Sequence, residues 1–252
     1  MIEQYEGEAM TVGALFHRDS QKSLLTDMAD ALESMSCHYT GHVVSTQRSA
    51  QVDRWGQSTG TIREEYSQEP LKELQYKLGE RGEKIIRAGF KHRKAGPMIL
   101  SIREPSTNSG YFLVDLAFAS DELGIPVEAR KKEDRSSAKW RWRFTLKLLD
   151  LICGAPDCLY AGAGNEVDVP TPEEITTNKM MRQSLPAVWG LPSSLCDSRG
   201  RVTEDVLSSG CPAAVEQWND HVTAIKVWSP LSVVPADHNA EAIVLGFLGT
   251  VL

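Results

Sequence analysis

Two apolar runs joined by a stretch of turn residues constrain the fold of this chain more than any other feature. The runs are GPMILSIRE, residues 96–104, and YFLVDLAF, residues 111–118, and EPSTNSG connects them. Proline, asparagine, serine and glycine favour turns, because they either preset the backbone or tolerate unusual backbone angles. Two apolar runs connected in this way predict an antiparallel β-hairpin.

Upstream of this hairpin, strand-like and helix-like patterns alternate. AMTVGALF, residues 9–16, and YTGHVVSTQ, residues 39–47, predict strands. Between them, DSQKSLLTDMADALESM predicts a helix, because its apolar residues recur at helical spacing. A second helix is predicted over PLKELQYKLGERGEKIIRAGF, residues 70–90, whose proline suits a first helical turn.

The order of these elements indicates the fold class. Strands mixed with helices fit a sheet that is covered by helices on one face. We therefore predict an α+β fold with a mixed, largely antiparallel sheet and helices packed on one face. With 252 residues, of which 41% are hydrophobic, the chain can form a single domain or two subdomains of similar size, about 1–135 and 136–252.

A long helix is predicted at the start of the second part of the chain. SSAKWRWRFTLKLLDLICG, residues 136–154, places its apolar residues on one side. Gly154 and Pro156 should end this helix, since glycine readily adopts a positive φ there and proline cannot continue the hydrogen bonding. CLYAGAG, residues 158–164, then predicts a strand, and NEVDVPTPEE, residues 165–174, predicts an acidic loop.

The remaining chain predicts one short helix and two strands. PAAVEQWNDHV, residues 212–222, is the helix candidate, and IKVWSPLSVV and AIVLGFLGTVL are the strand candidates. AIVLGFLGTVL is the most apolar run, but it is much shorter than the roughly 20 residues that a membrane-spanning helix needs. No membrane association is therefore expected.

Cysteine usage and the N-terminal residues favour the cytoplasm. The 5 cysteines are an odd number at irregular spacings, unlike the disulfide framework of a small secreted domain. MIEQYEGEAM lacks the basic and apolar regions of a signal peptide. We expect a reducing compartment.

The charge is distributed unevenly along the chain. Residues 1–150 contain 22 Lys+Arg and 22 Asp+Glu, whereas residues 151–252 contain 5 and 12, so the second part carries the entire net charge of -7. A negative field repels nucleic acid and attracts basic partners. The charge therefore argues against nucleic acid as a general partner.

Three glycines and two cysteines in LDLICGAPDCLYAGAGNE, residues 149–166, raise the question of a phosphate or metal site. A phosphate loop needs a helix directly after its glycines, but acidic residues and prolines follow Gly162 and Gly164. A zinc site needs four ligands, and Cys153 with Cys158 lacks a second pair. We interpret the glycines as points of close backbone packing, and we expect neither a metal nor another cofactor.

A nucleic-acid-binding module is one alternative. LGERGEKIIRAG, residues 78–89, resembles the glycine loop between two helices of K-homology domains, with Gly79 and Gly82 flanking Glu80 and Arg81. Eight Lys or Arg and three Glu lie in residues 72–94, which would suit a phosphate backbone. The two glutamates beside the loop oppose this interpretation.

A metal-dependent, nuclease-like enzyme is another alternative. Nucleases of the restriction-endonuclease type use an acidic residue on one strand and a Glu-x-Lys triplet on the next to hold a metal ion. Asp115 and Glu128 come close to this pattern, but Arg130 replaces the lysine, and arginine does not give up its proton at ordinary pH. The sequence also lacks a Gly-x-Ser-x-Gly elbow and a His-Glu-x-x-His helix. We therefore expect a protein that is not an enzyme.

Three segments of the chain resemble immunity proteins of bacterial polymorphic-toxin and type VI secretion systems, in particular the group called immunity protein 52. They are TVGALFHRDSQKSLLTDMADALESM, LLDLICGAPDCLYAGAGNE and the aromatic LPAVWGLPSSL. The resemblance implies a cytoplasmic, non-catalytic antitoxin that neutralises a cognate secreted toxin by tight protein–protein association. Some toxins of this group resemble restriction-endonuclease-fold DNases, so it also implies a partner with a basic cleft.

The acidic loop after residue 164 is the predicted toxin-binding surface. A nuclease must present a basic groove to phosphates, and an acidic protein surface can compete for that groove. Exposed tryptophans beside arginines are typical of interaction hot spots. The predicted contact residues are Trp140, Trp142, Glu166, Asp168, Glu173 and Glu174.

Overall fold

The computed structural model describes most of the chain in two compact units. The described residues are 9–19, 23–48, 62–68, 70–71, 83–103, 110–119, 131–177, 179, 185–193, 195, 204–205, 208, 214–218, 220–231 and 238–251. The first unit contains the described residues of Phe16–Phe118, and the second contains those of Glu6–Leu15 and Ala119–Leu252.

The first unit is a helix packed on antiparallel strands. Strand β1, Ala9–His17, enters this unit at its end, and the elements that follow are α1 (Leu24–Ser34), β2 (Cys37–Arg48), β3 (Ile62–Ser67), β4 (Glu83–His92), β5 (Gly96–Arg103) and β6 (Tyr111–Ala119). The strands lie in the order β3-β2-β4-β5-β6, and every neighbouring pair is antiparallel. Helix α1 contacts β2 with the apolar side that the sequence predicts. The predicted hairpin is confirmed, with Met98 opposite Phe118 and Arg103 opposite Leu113.

The predicted helix over residues 70–90 is wrong for its second part. Residues 83–90 belong to β4, which lies between β2 and β5 and is hydrogen-bonded to both. Ile86 and Phe90 are fully or almost fully buried there. Because a central strand gains two ladders of hydrogen bonds and buried side chains, this pairing outweighs the local helix preference of Glu, Lys and Arg.

The second unit combines five strands with three helices among its described residues. They are β1, α2 (Lys132–Cys153), β7 (Cys158–Asn165), α3 (Pro172–Thr177), β8 (Val188–Pro192), β9 (Ala214–Trp218), β10 (Val222–Lys226) and α4 (His238–Val251). The strand order is β1-β7-β8-β10-β9. The pairs formed by β7, β8, β10 and β9 are antiparallel. With the first unit, this arrangement confirms the α+β class and the largely antiparallel pairing.

Helix α2 packs against β7 and β8, as an amphipathic helix with one apolar side should. Helix α2 ends where the sequence predicts, but Gly154 does not adopt the predicted positive φ. Gly154 has φ -78, whereas the residue with positive φ is Asp157, at 62°. A Cβ on Gly154 would lie 3.1 Å from the carbonyl oxygen of Asp150 and 3.7 Å from a methyl group of Val222. A larger residue at this position would therefore require a small local shift in the last turn of the helix.

Two predictions for the C-terminal part are wrong. Residues 214–218 form β9 and not a helix, and Trp218 pairs with Val222 of β10. The apolar run that begins at residue 242 forms most of α4 and not a strand. A continuous apolar run has no clear period, so tertiary packing determines whether it forms a strand or a helix. No helix formed by the described residues is long and apolar enough to cross a membrane.

Candidate protein-binding surface

The acidic segment, defined as Asn165–Glu174, runs from the end of β7 into α3. Exposed and buried residues alternate over residues 166–169. Val167 and Val169 are each 3% exposed, whereas Glu166 and Asp168 are exposed to solvent. The two valines therefore anchor this stretch to the core, while the two carboxylates lie on the solvent side.

Hydrogen bonds fix the backbone of this segment at Glu166 and at Pro170. The backbone N–H of Glu166 donates to the carbonyl oxygen of Ala9 at 2.8 Å, and Glu166 adopts a positive φ of 50°. The buried hydroxyl of Tyr160 donates to the carbonyl oxygen of Pro170 at 2.5 Å. Tyr160 itself is fully buried and lies beside Trp189, with ring centroids 6.5 Å apart. The carboxylates are therefore held in place by the unit beneath them.

The glycines of β7 serve close packing, as the sequence predicts. A Cβ on Gly162 would lie 2.3 Å from Cγ of Pro186, and a Cβ on Gly164 would lie 2.5 Å from a methyl group of Val167. Both glycines are buried, and neither precedes a helix that could receive a phosphate. Side chains fill the space that a ligand would need, so the phosphate interpretation fails on geometry.

Glu173 and Glu174 lie on helix α3 and differ in their surroundings. Glu173 is exposed, while Glu174 is half-buried. The carboxylate of Glu174 accepts hydrogen bonds from the backbone N–H and the hydroxyl of Thr171, at 3.0 and 3.2 Å. In return, the hydroxyl of Thr171 accepts from the backbone N–H of Glu174 at 3.3 Å. This reciprocal pattern is a capping box, so the Glu174 carboxylate stabilises the start of α3.

This capping box is absent from the predictions above, although the sequence contains its signal. Thr171 and Glu174 have the Thr-x-x-Glu spacing, and Pro172 occupies the favoured first helical position between them. The exposed acids of the surface are accordingly Glu166, Asp168 and Glu173. Residues 148–178 contain six Asp or Glu and no Lys or Arg, so the local potential is negative.

The two predicted tryptophans have different surroundings on α2. Trp142 is 8% exposed and belongs to the core of the unit. Trp140 is half-buried and stacks on Phe144, with ring centroids 5.1 Å apart and planes inclined by 13°. Between them, Arg141 donates to the carbonyl oxygen of Ala119 at 2.9 Å. Trp140 is therefore the more accessible aromatic residue of this pair.

The residues of the two alternative functions are only partly described. Asp115 lies on β6, and its carboxylate is 3.5 Å from the guanidinium of Arg103. Glu128 and Arg130 lie outside the described residues, as do Gly79 and Gly82. Strand β4 begins at Glu83, directly after the glycine loop, where the K-homology pattern requires a helix. The geometry after this loop therefore contradicts that resemblance.

The metal and nucleophile candidates also have defined surroundings. Among the residues that the structure describes, no group of three or more His, Cys, Asp or Glu could hold a metal ion. Cys37, Cys153 and Cys158 are buried. Burial raises the pKa of Cys37 to about 11, which keeps this thiol protonated and unreactive at neutral pH.

Comparisons with known proteins give a similarity in structure but none in sequence. No protein-family model matches the sequence, and no curated protein matches it significantly. The structure is similar to that of T6SS protein PA0821 from Pseudomonas aeruginosa, with a TM-score of 0.48 and 10% sequence identity. The similarity covers 99% of this chain and 75% of that chain.

Proposed function

We propose that this protein is a cytoplasmic immunity protein, which binds a cognate secreted toxin and neutralises it without catalysis. The observation that carries the proposal is the acidic segment, whose exposed carboxylates are held by a buried framework. The sequence resemblance to immunity proteins of polymorphic-toxin and type VI secretion systems supports the same class. The partner that fits this surface is a toxin with a basic cleft, such as a nuclease.

Electrostatics explains how such a surface can block a nuclease. A nuclease groove carries positive charge for phosphates, and clustered carboxylates are attracted to the same field. Glu166, Asp168 and Glu173 offer three exposed carboxylates, and residues 148–178 contain no Lys or Arg. Because the segment is fixed before binding, little conformational entropy is lost when it docks. Occupation of the groove then excludes the nucleic acid substrate.

The first experiment is co-expression of the chain with the product of the adjacent reading frame. Cells should survive when both are present, and the two proteins should co-purify. An innocuous neighbour that forms no complex would contradict the proposal.

Charge reversal then tests the surface. The test variant changes three exposed acids to lysine: Glu166, Asp168 and Glu173. The matched control makes the same change in net charge at exposed acids elsewhere: Asp30, Glu33 and Asp220. Association of the test variant with the toxin should be slower and less salt-dependent than that of the control. Equal rates and equal salt slopes would exclude the acidic segment as the interface.

Glu174 and the tryptophans need separate treatment. Reversal of Glu174 would break the capping box, and Trp142 is buried, so neither change would report on binding alone. Trp140→Ala is the interpretable aromatic variant, because this side chain is half-buried on α2. A specific loss of toxin affinity in Trp140→Ala would add α2 to the interface.

A further inference from the structure

Helix α2 carries a stripe of exposed positive charge, the basic stripe, which consists of Lys139, Arg143 and Lys147. Residues four apart lie on one side of a helix, and these three follow each other at about 6 Å along its axis. No acidic residue occurs between Asp134 and Asp150 in the sequence. Within the part of the chain that the structure describes, none of the three cations forms an ion pair or a side-chain hydrogen bond. This positive charge is therefore available to a partner.

The charge pattern of the basic stripe is unfavourable for the helix itself. Like charges four residues apart destabilise a helix, and a solvated helix face usually alternates the two signs. Arg141 of the same helix differs from the stripe, because it donates to the carbonyl oxygen of Ala119 at 2.9 Å and so has a structural contact. A row of like charges that makes no such contact among the described residues indicates a binding surface.

An aromatic side chain borders the basic stripe. Trp140 is half-buried and stacks on Phe144, with ring centroids 5.1 Å apart. Residues three apart are neighbours on a helix surface, so Trp140 adjoins Arg143. Tryptophan and arginine are enriched among the residues that dominate the binding energy of protein interfaces. The composition of this surface therefore favours a protein partner.

The start of the basic stripe and the start of the acidic segment lie towards the same end of the second unit. Only residues 154–157 separate α2 from β7, and the two elements contact each other, so the chain reverses direction between them. From Lys139 to Cys153 the helix rises about 21 Å. From Cys158 to Glu166 the chain extends by about 26 Å. A single partner at this end can therefore reach both surfaces.

We infer that the toxin docks an acidic helix on the basic stripe while its basic cleft takes the acidic segment. This inference rests on the proposed function. Carboxylates four residues apart on a helix also follow each other at about 6 Å, so such a helix matches the spacing of the three cations. Surfaces of both signs exclude partners with the wrong charge and fix the orientation of the right one.

A nucleic acid fits the basic stripe less well than an acidic helix. Residues 151–252 belong to the same unit and contain 5 Lys+Arg and 12 Asp+Glu. A long polyanion would be repelled by this excess of negative charge, whereas a short acidic helix mainly experiences the local positive potential.

Charge reversal of the basic stripe tests the inference. The test variant changes all three stripe residues to glutamate, which is a good helix former, so exposed positions of α2 should tolerate it. The matched control makes the same change in charge at exposed cations of the first unit: Lys91, Arg93 and Lys94. The binding partner is the catalytically inactivated product of the adjacent reading frame. In the unaltered complex, a carbodiimide, which couples amines to carboxylates, identifies the residues that contact the stripe.

The affinity of the test variant for the toxin should fall about tenfold or more, and that of the control should not change. The carbodiimide should couple Lys139 or Lys147 to an Asp or Glu on a helix of the toxin. If the unaltered protein binds, but the test variant binds as tightly as the control or neither lysine is coupled, the inference is overturned and the proposed function stands. If the unaltered protein neither binds nor protects, both fall. Single-stranded DNA bound through the stripe, with toxin affinity unchanged in the test variant, would overturn the inference in favour of nucleic acid.

Discussion

A methyl group added at Gly162 should destabilise the protein, whereas the same group added at Gly246 should not. In Gly162→Ala the new Cβ would lie 2.3 and 2.6 Å from two ring carbons of Pro186, and 3.3 Å from a methyl group of Val169. The proline ring is rigid and buried, so it cannot rotate away as a long side chain would. Relief then requires a backbone shift, and overpacking of this kind costs about 1–3 kcal/mol.

Gly246→Ala is the matched control, because it adds the same methyl group in the same unit. The space around Gly246 is open among the described residues, and the residue lies within α4. Replacing a glycine inside a helix by alanine stabilises it by about 0.5–1 kcal/mol. The two variants should therefore differ in free energy of unfolding by about 1.5–4 kcal/mol, with opposite signs relative to the unaltered chain.

Urea denaturation followed by tryptophan fluorescence measures this difference directly. In a chain of this size, each kcal/mol also shifts the melting temperature by about 2–4 °C, which gives an independent check. Equal stability of the two variants would show that Pro186 and β7 are not packed as closely as the distances indicate. The close-packing interpretation of this glycine-rich strand would then be refuted.

Three further predictions follow from individual hydrogen bonds. Tyr160→Phe leaves the carbonyl of Pro170 without its buried donor, so unfolding should be easier by about 1–3 kcal/mol, and amide exchange near Val169 should accelerate. Thr171→Ala removes the capping box and should destabilise α3 by about 0.5–2 kcal/mol, seen as faster exchange within Pro172–Thr177 while β7 remains protected. Burial lowers the pKa of His92 below the ordinary 6.5, and the charges of His38 and Lys94 lower it further. Its Nδ1 accepts hydrogen bonds from two backbone N–H groups. The unfolded chain therefore binds this proton more readily, and stability falls as the pH drops below about 6.5. His92→Asn keeps an acceptor without titrating, so a variant with the same acid sensitivity as the unaltered chain would contradict this assignment.

Local signals predicted those elements in which sequence pattern and packing agree. The hairpin of β5 and β6 combines two apolar runs with turn residues, and the register places these runs opposite each other. Helix α2 has an apolar side that becomes its buried side. In both cases the short-range preference and the long-range contact favour the same structure.

The wrong predictions concern elements whose secondary structure is determined by contacts with distant parts of the chain. Residues 83–90 have helix-forming charged residues, but two neighbouring strands supply the hydrogen bonds that make β4. The apolar run of α4 has no period that separates strand from helix. The contact between Gly162 and Pro186 joins residues far apart in sequence, so no local motif predicts it. The capping box differs from these elements, because its Thr-x-x-Glu spacing is local and can be recognised in the sequence.

The two parts of the proposed interface should have different kinetic signatures. Glu166, Asp168 and Glu173 act at long range, so their reversal should mainly slow association, and the effect should fade as salt screens the charges. Trp140 acts only in contact, so Trp140→Ala should mainly accelerate dissociation, and added salt should change this effect little. Stopped-flow association and surface-based dissociation measurements at several ionic strengths separate the two. If both variants slowed association equally and with the same salt slope, Trp140 would influence only the encounter, and its assignment to the contact surface would be wrong.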